Sequence, residues 1–485
     1  MLSKSKYCNG IECVKKLWLE KYYPEVMSDL NNDSVFENGV TVGNIAKELL
    51  GKSFEVKFDS NLDNMVKDTL ALLSFKNIII TEASFKYDDN FCSVDILKKD
   101  NEEYEMYEVK SSTSVKDIYI DDVSYQYYVL SNLGLNVKKC FVVYINSKYV
   151  RKGDLELNKL FITKDITDEV LEKQDEVKSN INFLNKYLID EKEPEIDIGM
   201  QCFVPYDCPF FNYCTQFLKK PNVFDLRRMT KKKKLKYYYD NIYTYNELLK
   251  EDIDDKFKQQ IEFELYDKEE YINKEEVKKF LDTLTEPLYF LDFETFQQAV
   301  PKYDGISPYM QIPFQYSLHY YENGLKHKEF LAIAGVDPRR ELAENLVKDI
   351  PMDTCVLAYN MSFEKTVIKN LASLFPDLSA HLLNIYSNIK DLMIPFYNRS
   401  YYVKEMKGSY SIKYVLPALF PNEADLDYHN LDMIHNGSEA MNSFTNMENL
   451  SKEEQEMLRK NLLKYCELDT YAMVKIYEKL KEVVK

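Results

Sequence analysis

The stretch Leu288–Phe296, LYFLDFETF, decides the reading of the second half of the chain. A short apolar run interrupted by acids reads as a buried strand. Successive side chains alternate across a strand, so Asp292 and Glu294, two apart, point to one side. Two unpaired carboxylates in a buried strand are costly, and a divalent metal ion is the usual remedy.

The pattern continues outward. FQYSLHYY and HKEFLAIAG read as two further strands, a helix is expected over 340–349, a strand over 354–359, a helix from Ser362 and a long helix over 452–484. The order βββαβα calls for a mixed sheet with flanking helices, an α/β domain at 285–485. Residues 217–284, rich in Lys, Asp, Glu and Tyr at helical spacing, read as a helical connector. Residues 1–216 read as a second α/β domain, with helices near 12–22, 39–50 and 121–134 around strands at 77–85, 91–98, 104–111 and 139–145.

A length of 485 residues fits two or three domains, and 12 glycines with nine cysteines exclude collagen-like chains and small disulfide frameworks. No apolar run approaches the roughly 18 residues of a membrane span, and MLSKSKYCNG lacks a secretory core, so a cytoplasmic protein without a membrane partner is expected. The net charge of −17 argues against a broadly basic nucleic-acid coat. A local basic strip from Lys219 through Arg227, Arg228 and Lys231 to Lys236 reads either as a solvated helix face or as a nucleic-acid track.

Three constellations carry chemistry. In the first half, Asp95 lies in CSVDIL, and Glu108 and Lys110 lie in MYEVKSS on the following strand. If the register sets Asp95 beside Glu108, two carboxylates hold Mg²⁺ or Mn²⁺ while Lys110 positions a water or a phosphate oxygen. The other reading is an exposed strand face with an ordinary Glu–Lys pair.

Cys202, Cys208 and Cys214 form a C-x5-C-x5-C run, with Cys13 or Cys8 as fourth thiolate, a set that suits Zn²⁺ or an iron–sulphur cluster. Cys92, Cys140, Cys355 and Cys466 stand singly in apolar contexts and read as buried, unliganded residues. In the second half, Tyr465 and Asp469 are four apart on a helix and share a face with each other. Asn360 and Glu364 bracket a strand-to-helix turn, and Asp391 reads as an exposed or capping acid. The five histidines show no ligand spacing, and His319 reads as a half-buried sheet residue. No G-x-x-x-x-G-K, H-E-x-x-H or G-x-S-x-G motif occurs.

The spacing from Asp95 to E-x-K at Glu108–Lys110, followed by a helix bearing Gln126, resembles the PD-(D/E)XK nucleases of the RecB type, including their CRISPR-associated iron–sulphur branch. That resemblance implies metal at Asp95 and Glu108, assistance from Lys110 and Gln126, and a [4Fe-4S] cluster on Cys13, Cys202, Cys208 and Cys214, with Zn²⁺ as the alternative. The chain departs from the family at its early helix, which has no His, so that either Asn44 or Glu48 stands in or that ligand is missing, and at Leu130, where the family often has a Tyr.

D-x-E-T at Asp292, the Asn360–Glu364 turn, Y-x-x-x-D at Tyr465 and GSYSIKYVLPAL at 408–419 resemble DEDD 3′-5′ exonucleases of the RNase H-like fold. There the resemblance implies two metal ions on Asp292, Glu294, Glu364 and Asp469, with Tyr465 orienting the attacking water. Glu364 stands where the family has Asp. The expectation is an α/β protein pairing a restriction-endonuclease-like domain with an RNase H-like domain. It would act as a metal-dependent nuclease on nucleic acid, DNA over RNA, alone or with a helicase or a repair or defence complex. A nucleic-acid-binding or scaffolding protein built from nuclease-like folds is the alternative.

Overall fold

The computed structural model describes residues 1–28 and 33–485. They fall into two units, 1–217 with 298–309 and 218–297 with 310–485. Both are α/β.

The first unit begins with helices α1 (Lys4–Glu12) and α2 (Val14–Tyr22). Its sheet contains β1 (Asn77–Tyr87), β2 (Asn90–Asp100), β3 (Glu103–Lys110), β4 (Asn136–Ile145) and β5 (Phe161–Asp165), side by side in that order. Phe54–Glu55 extends the β1 edge, and Leu2–Ser3 pairs with the start of β2. Hairpins make β1–β2, β2–β3 and β4–β5 antiparallel, and Asn101 takes the positive φ that the β2–β3 turn requires. Strands β3 and β4 are parallel, joined by the crossover helix α3 (Asp117–Asn132), and the two short edge pairings of Phe54–Glu55 and Leu2–Ser3 are parallel as well.

Leu97, Met106 and Val142 from the sheet bury against Val123, Val129 and Leu130 of α3. Helix α4 (Gln174–Ile189) closes the same core through Ile181 and Leu184. A Cβ at Gly10 would meet the Leu184 methyls at 2.7 Å, so glycine there permits the close approach of α1 to α4.

The second unit is built on β6 (Leu288–Phe296), β7 (Ile312–Tyr321), β8 (Leu325–Leu331), β9 (Cys355–Ala358) and β10 (Ile389–Asp391), ordered β8-β7-β6-β9-β10. Strand β7 runs antiparallel to β6 and β8, whereas β9 is parallel to β6 and β10. Alternation along β6 divides its side chains between two faces. Tyr289, Leu291 and Phe293 pack with α6 (Arg339–Asp349) and α7 (Ser362–Leu374). Phe290 and Asp292 meet α9 (Lys452–Val484) through Tyr477 and Cys466. Helix α9 starts with a capping box between Ser451 and Glu454. No helix among the described residues is long and apolar enough to cross a membrane.

Two boundaries differ from the sequence reading. Residues 218–284, read from sequence as part of a helical connector, group with the second unit. They carry α5 (Lys231–Tyr239) and a core of Val223, Leu226, Tyr245, Leu248 and Ile261, and Glu270–Ile272 pairs with Tyr401–Val403. Residues 298–309, between β6 and β7, belong to the first unit, where Ala299 and Tyr309 pack with Val42, Val143 and Tyr149. Local pattern reports amphipathicity but not which core an apolar face joins.

Leu291 is fully buried between β7 and α6. Leu291→Ala is expected to destabilise the second unit by about 2–5 kcal/mol, read as a lowered midpoint in urea.

Candidate active site

Asp292 and Glu294 leave β6 toward α9, which presents Asp469 and Tyr465 one turn apart. One carboxylate oxygen from each of Asp292, Glu294 and Asp469 lies within 4.8 Å of the others. These residues line a cleft of about 560 Å³ with Tyr359, Asn360, Glu364, Lys413 of helix α8 (Ile412–Leu419) and Tyr465. Glu364, in the first turn of α7, lies outside the three-acid group but on the same cleft, and its Oε2 is buried without a hydrogen-bond partner among the described residues. Such an oxygen is costly unless a cation answers it.

Burial, and then the charges of Asp469, Glu294 and Glu364, hold the Asp292 carboxyl well above the usual range. Glu294 is raised by burial and by Asp469. Burial lifts Glu364 to about 8 and Asp469 to about 6, the latter opposed by Tyr428 and Lys413. Carboxyls that resist ionisation together in one cleft are relieved when a cation enters among them. The donor set, all oxygen, fits Mg²⁺ or Mn²⁺.

Tyr428 donates to Asp469 Oδ1 at 2.6 Å and fixes that carboxylate, a contact no sequence pattern announced. Lys413 was also missed as a site residue, although it lies within the quoted GSYSIKYVLPAL stretch. Asp391 is buried rather than exposed and accepts the amides of Asn360, Met361 and Met393, so it caps the loop that carries Glu364.

In the first unit, the register of β2 and β3 runs up to Ile96↔Tyr107, and just beyond it Asp95 Oδ2 accepts the Val109 amide at 2.7 Å. Glu108 and Lys110 share a face, as alternation requires, with Lys110 Nζ 2.6 Å from Glu108 and 2.8 Å from Asp122. Gln126 donates to Glu108 at 2.7 Å and to Asp122 at 2.9 Å. The four expected residues therefore converge.

Two others complete the cluster. Asp122 lies on α3 one turn before Gln126. Lys4, from α1, sets its ammonium 2.9 and 3.1 Å from the two Glu108 oxygens and 3.8 Å from Asp95. Lys4, rather than Asn44 or Glu48, reaches this carboxylate. Burial, then Asp122 and Asp95, raise Glu108 to about 7. Against the burial that opposes it, Asp122, Glu108 and Asp95 raise Lys4, and against its own burial Asp122 is lowered by Lys4 and Lys110. The carboxylates assigned to a metal ion are bridged here by an ammonium.

Cys13 sits in extended backbone at the break between α1 and α2 and lines one cavity with Cys202, Cys208 and Cys214, flanked by Lys15 and Lys16. Cys8 packs instead into the main core, near Asp122 and Lys110. Burial raises the thiols of Cys208 to about 11 and Cys214 to about 12. Among the described residues, no three of these sulphurs lie within 4.8 Å of one another. They are thus spread wider than the ~3.8 Å edges of a tetrahedral zinc–thiolate site with ~2.3 Å bonds. Cys92, Cys140, Cys355 and Cys466 are buried, and Cys466 directs its thiol to Asp292 at 3.8 Å.

Residues 289–411 match a family model described as a domain of unknown function, DUF2779. The chain is also 24% identical over 409 residues to "Uncharacterized protein MG366" of Mycoplasma genitalium, covering 74% of this chain and 61% of that relative. The matched family segment holds β6, β7, β9 and α7, and hence Asp292, Glu294 and Glu364.

Acids with raised pKa bind protons more tightly folded than unfolded, so the metal-free protein loses stability as pH climbs from the ordinary carboxylate range to about 8. Divalent cations must displace those protons. Mn²⁺ affinity, measured by titration calorimetry, should therefore tighten by at least about tenfold between pH 6 and 8, and the Mn²⁺-induced rise in Tm should grow in parallel. An affinity flat across that window would remove these acids as ligands.

Proposed function

We propose that the chain is a metal-dependent nuclease whose phosphodiester hydrolysis takes place in the cleft of the second unit. The observation that carries this reading is the convergence of Asp292, Glu294 and Asp469, with Glu364 lining the same cleft and its Oε2 buried without a hydrogen-bond partner among the described residues. The β8-β7-β6-β9-β10 order with β7 alone antiparallel supports an RNase H-like reading of the sheet. Asp292, Glu294, Glu364 and Asp469 would hold two Mg²⁺ or Mn²⁺ ions, which when bound supply charge neutralisation at phosphorus and a water of lowered pKa.

The chain's own residues then divide the work. Burial, followed by the charge of Asp469, pushes the Tyr465 phenol far above its usual range, so it stays protonated and orients a water as a hydrogen-bond partner rather than a base. Tyr428 holds Asp469 in place. Lys413, exposed at the cleft, is placed to steady a phosphate oxygen.

An arginine and tyrosine surface adjoins that cleft. The Arg228 guanidinium lies 4.2 Å from the Tyr410 ring centroid and that of Arg227 lies 4.9 Å from the Tyr414 ring. Tyr397 packs edge-on to Tyr410 at 5.1 Å, with Lys256 4.6 Å over its ring. Tyr410 and Tyr414 flank Ile412 and Lys413 of the cleft lining. Cations interleaved with rings suit a single strand, whose phosphates and bases they engage together. The basic strip read from sequence is thus divided. Arg227 and Arg228 join this surface, whereas Lys234 turns inward to the Phe224 carbonyl, and burial lowers it to about 8.

The first unit supports a different reading for itself. Lys4 and Lys110 already compensate Asp95, Glu108 and Asp122, which favours a binding or scaffolding role for that nuclease-like site over hydrolysis. For Cys13, Cys202, Cys208 and Cys214 we propose a [4Fe-4S] cluster, with Zn²⁺ as the alternative; the support is that the four thiols line one cavity beside Lys15 and Lys16, whose charge suits a thiolate-ligated group.

End-labelled single-stranded DNA and RNA with Mn²⁺ test the reading. Asp292→Ala should lower trimming about 10³-fold, the loss of several kcal/mol of transition-state stabilisation, while Glu108→Ala leaves most of it. Trimming lost with Glu108→Ala and kept with Asp292→Ala would move the chemistry to the first unit. For the cysteines, anaerobically purified protein should carry about four irons per chain with matching sulphide, and Cys208→Ser should lose them.

A further inference from the structure

A second cluster of ligand-type side chains lies on the same sheet, away from the acidic cleft lining. His319 on β7 and His327 on β8 are directly opposite in the antiparallel register, and their rings stand 4.5 Å apart with a 33° tilt. Glu467 of α9 completes the group, with its Oε1 3.9 Å from His327 Nδ1. One ligand atom from each of the three lies within 4.8 Å of the others.

The hydroxyls behind the rings are an independent observation. Ser317 Oγ lies 2.8 Å from His327 Nε2 and 2.6 Å from Thr470 Oγ1, and Thr470 Oγ1 lies 2.8 Å from His319 Nδ1 and 3.2 Å from the Glu467 carbonyl. One assignment uses every hydrogen. His319 Nδ1–H donates to Thr470, His327 Nε2–H donates to Ser317, the Ser317 hydroxyl donates to Thr470, and the Thr470 hydroxyl donates to the Glu467 carbonyl. In that arrangement both imidazoles are neutral and both present a lone pair on their remaining nitrogen, His319 Nε2 and His327 Nδ1. Hydroxyl or carbonyl partners that fix tautomer and ring plane in this way are what oriented metal-binding histidines have behind them.

We propose that His319, His327 and Glu467 form a separate zinc-type site that clamps α9 to strands β7 and β8. Two imidazoles and a carboxylate select Zn²⁺ over the Mg²⁺ or Mn²⁺ that an all-oxygen set takes, and a water or Glu329, two residues from His327 on the same strand face, fills the fourth position. Burial and the neighbouring ring lower His319 to about 4, which keeps it in the neutral, ligating form across the physiological range. The clamp grips the helix at Glu467 and Thr470, on either side of Asp469. Its role is structural, and it is independent of whether the acidic cleft hydrolyses anything.

The test is metal content and affinity of the full chain. With excess Mg²⁺ to saturate the all-oxygen cleft, the wild type should bind one equivalent of Zn²⁺ beyond whatever Cys208→Ser removes. His327→Ala and, separately, Glu467→Gln should abolish or weaken that equivalent by more than about tenfold. Thr470→Val, which keeps the shape and deletes the hydroxyl, should weaken it about 10–100-fold. Co²⁺ in its place should give visible bands that persist in Cys208→Ser and disappear in His327→Ala. Circular dichroism confirms folding, and Glu467→Gln, at a half-exposed residue, decides the matter if His327→Ala does not fold. Unchanged zinc stoichiometry, affinity and cobalt spectrum in Glu467→Gln and Thr470→Val would overturn the proposal, as would a wild type that binds no zinc beyond the cysteine-dependent amount.

Discussion

Burial of several carboxyls in one cleft, with their mutual repulsion second, is the constraint that the second unit's site has to meet. Asp292, Glu294, Asp469 and Glu364 come from a central strand and two helices, and burial disfavours the charged form of each. A fold tolerates that only if the acids stay protonated or a cation enters. The surrounding contacts hold the acids in place rather than neutralise them. Tyr428 pins Asp469, Asp391 caps the loop before Glu364, and Cys466 lies against Asp292.

The first unit meets the same difficulty with its own ammonium groups. Its carboxylates are as buried in character, yet Lys4 and Lys110 approach to hydrogen-bond distance and Gln126 supplies two further donors. Removing one member of so tight a set would strand the others, the usual penalty for breaking a buried ion pair. Two constellations that look alike in sequence, an acid followed by a second acid on a strand, thus differ in what balances them. That difference is the physical ground of the proposal that assigns hydrolysis to the second unit's cleft.

The long helix α9 links several of these features. Its one face supplies Tyr465 and Asp469 to the cleft, and the adjacent residues Cys466, Glu467 and Thr470 meet Asp292, His327 and the Ser317 hydroxyl. The position of Asp469 therefore depends on how firmly α9 is held against β6, β7 and β8. Packing of Phe290 on Tyr477 and the Gln315 side-chain bond to the Leu462 carbonyl hold it along its length.

Local pattern carried much of this. Alternation along LYFLDFETF placed Asp292 and Glu294 on one side, the spacing of four placed Tyr465 with Asp469, and E-V-K placed Glu108 with Lys110, because strand and helix periods are fixed by backbone geometry. The α/β class and most element positions were legible for the same reason. What the sequence could not reveal was anything set by contacts between distant segments: Lys4 over Glu108, Tyr428 on Asp469, the Ser317–Thr470 network behind two histidines that lack ligand spacing, and the membership of 218–284 and 298–309. Those depend on which surfaces meet in three dimensions, and periodicity along a chain does not encode that.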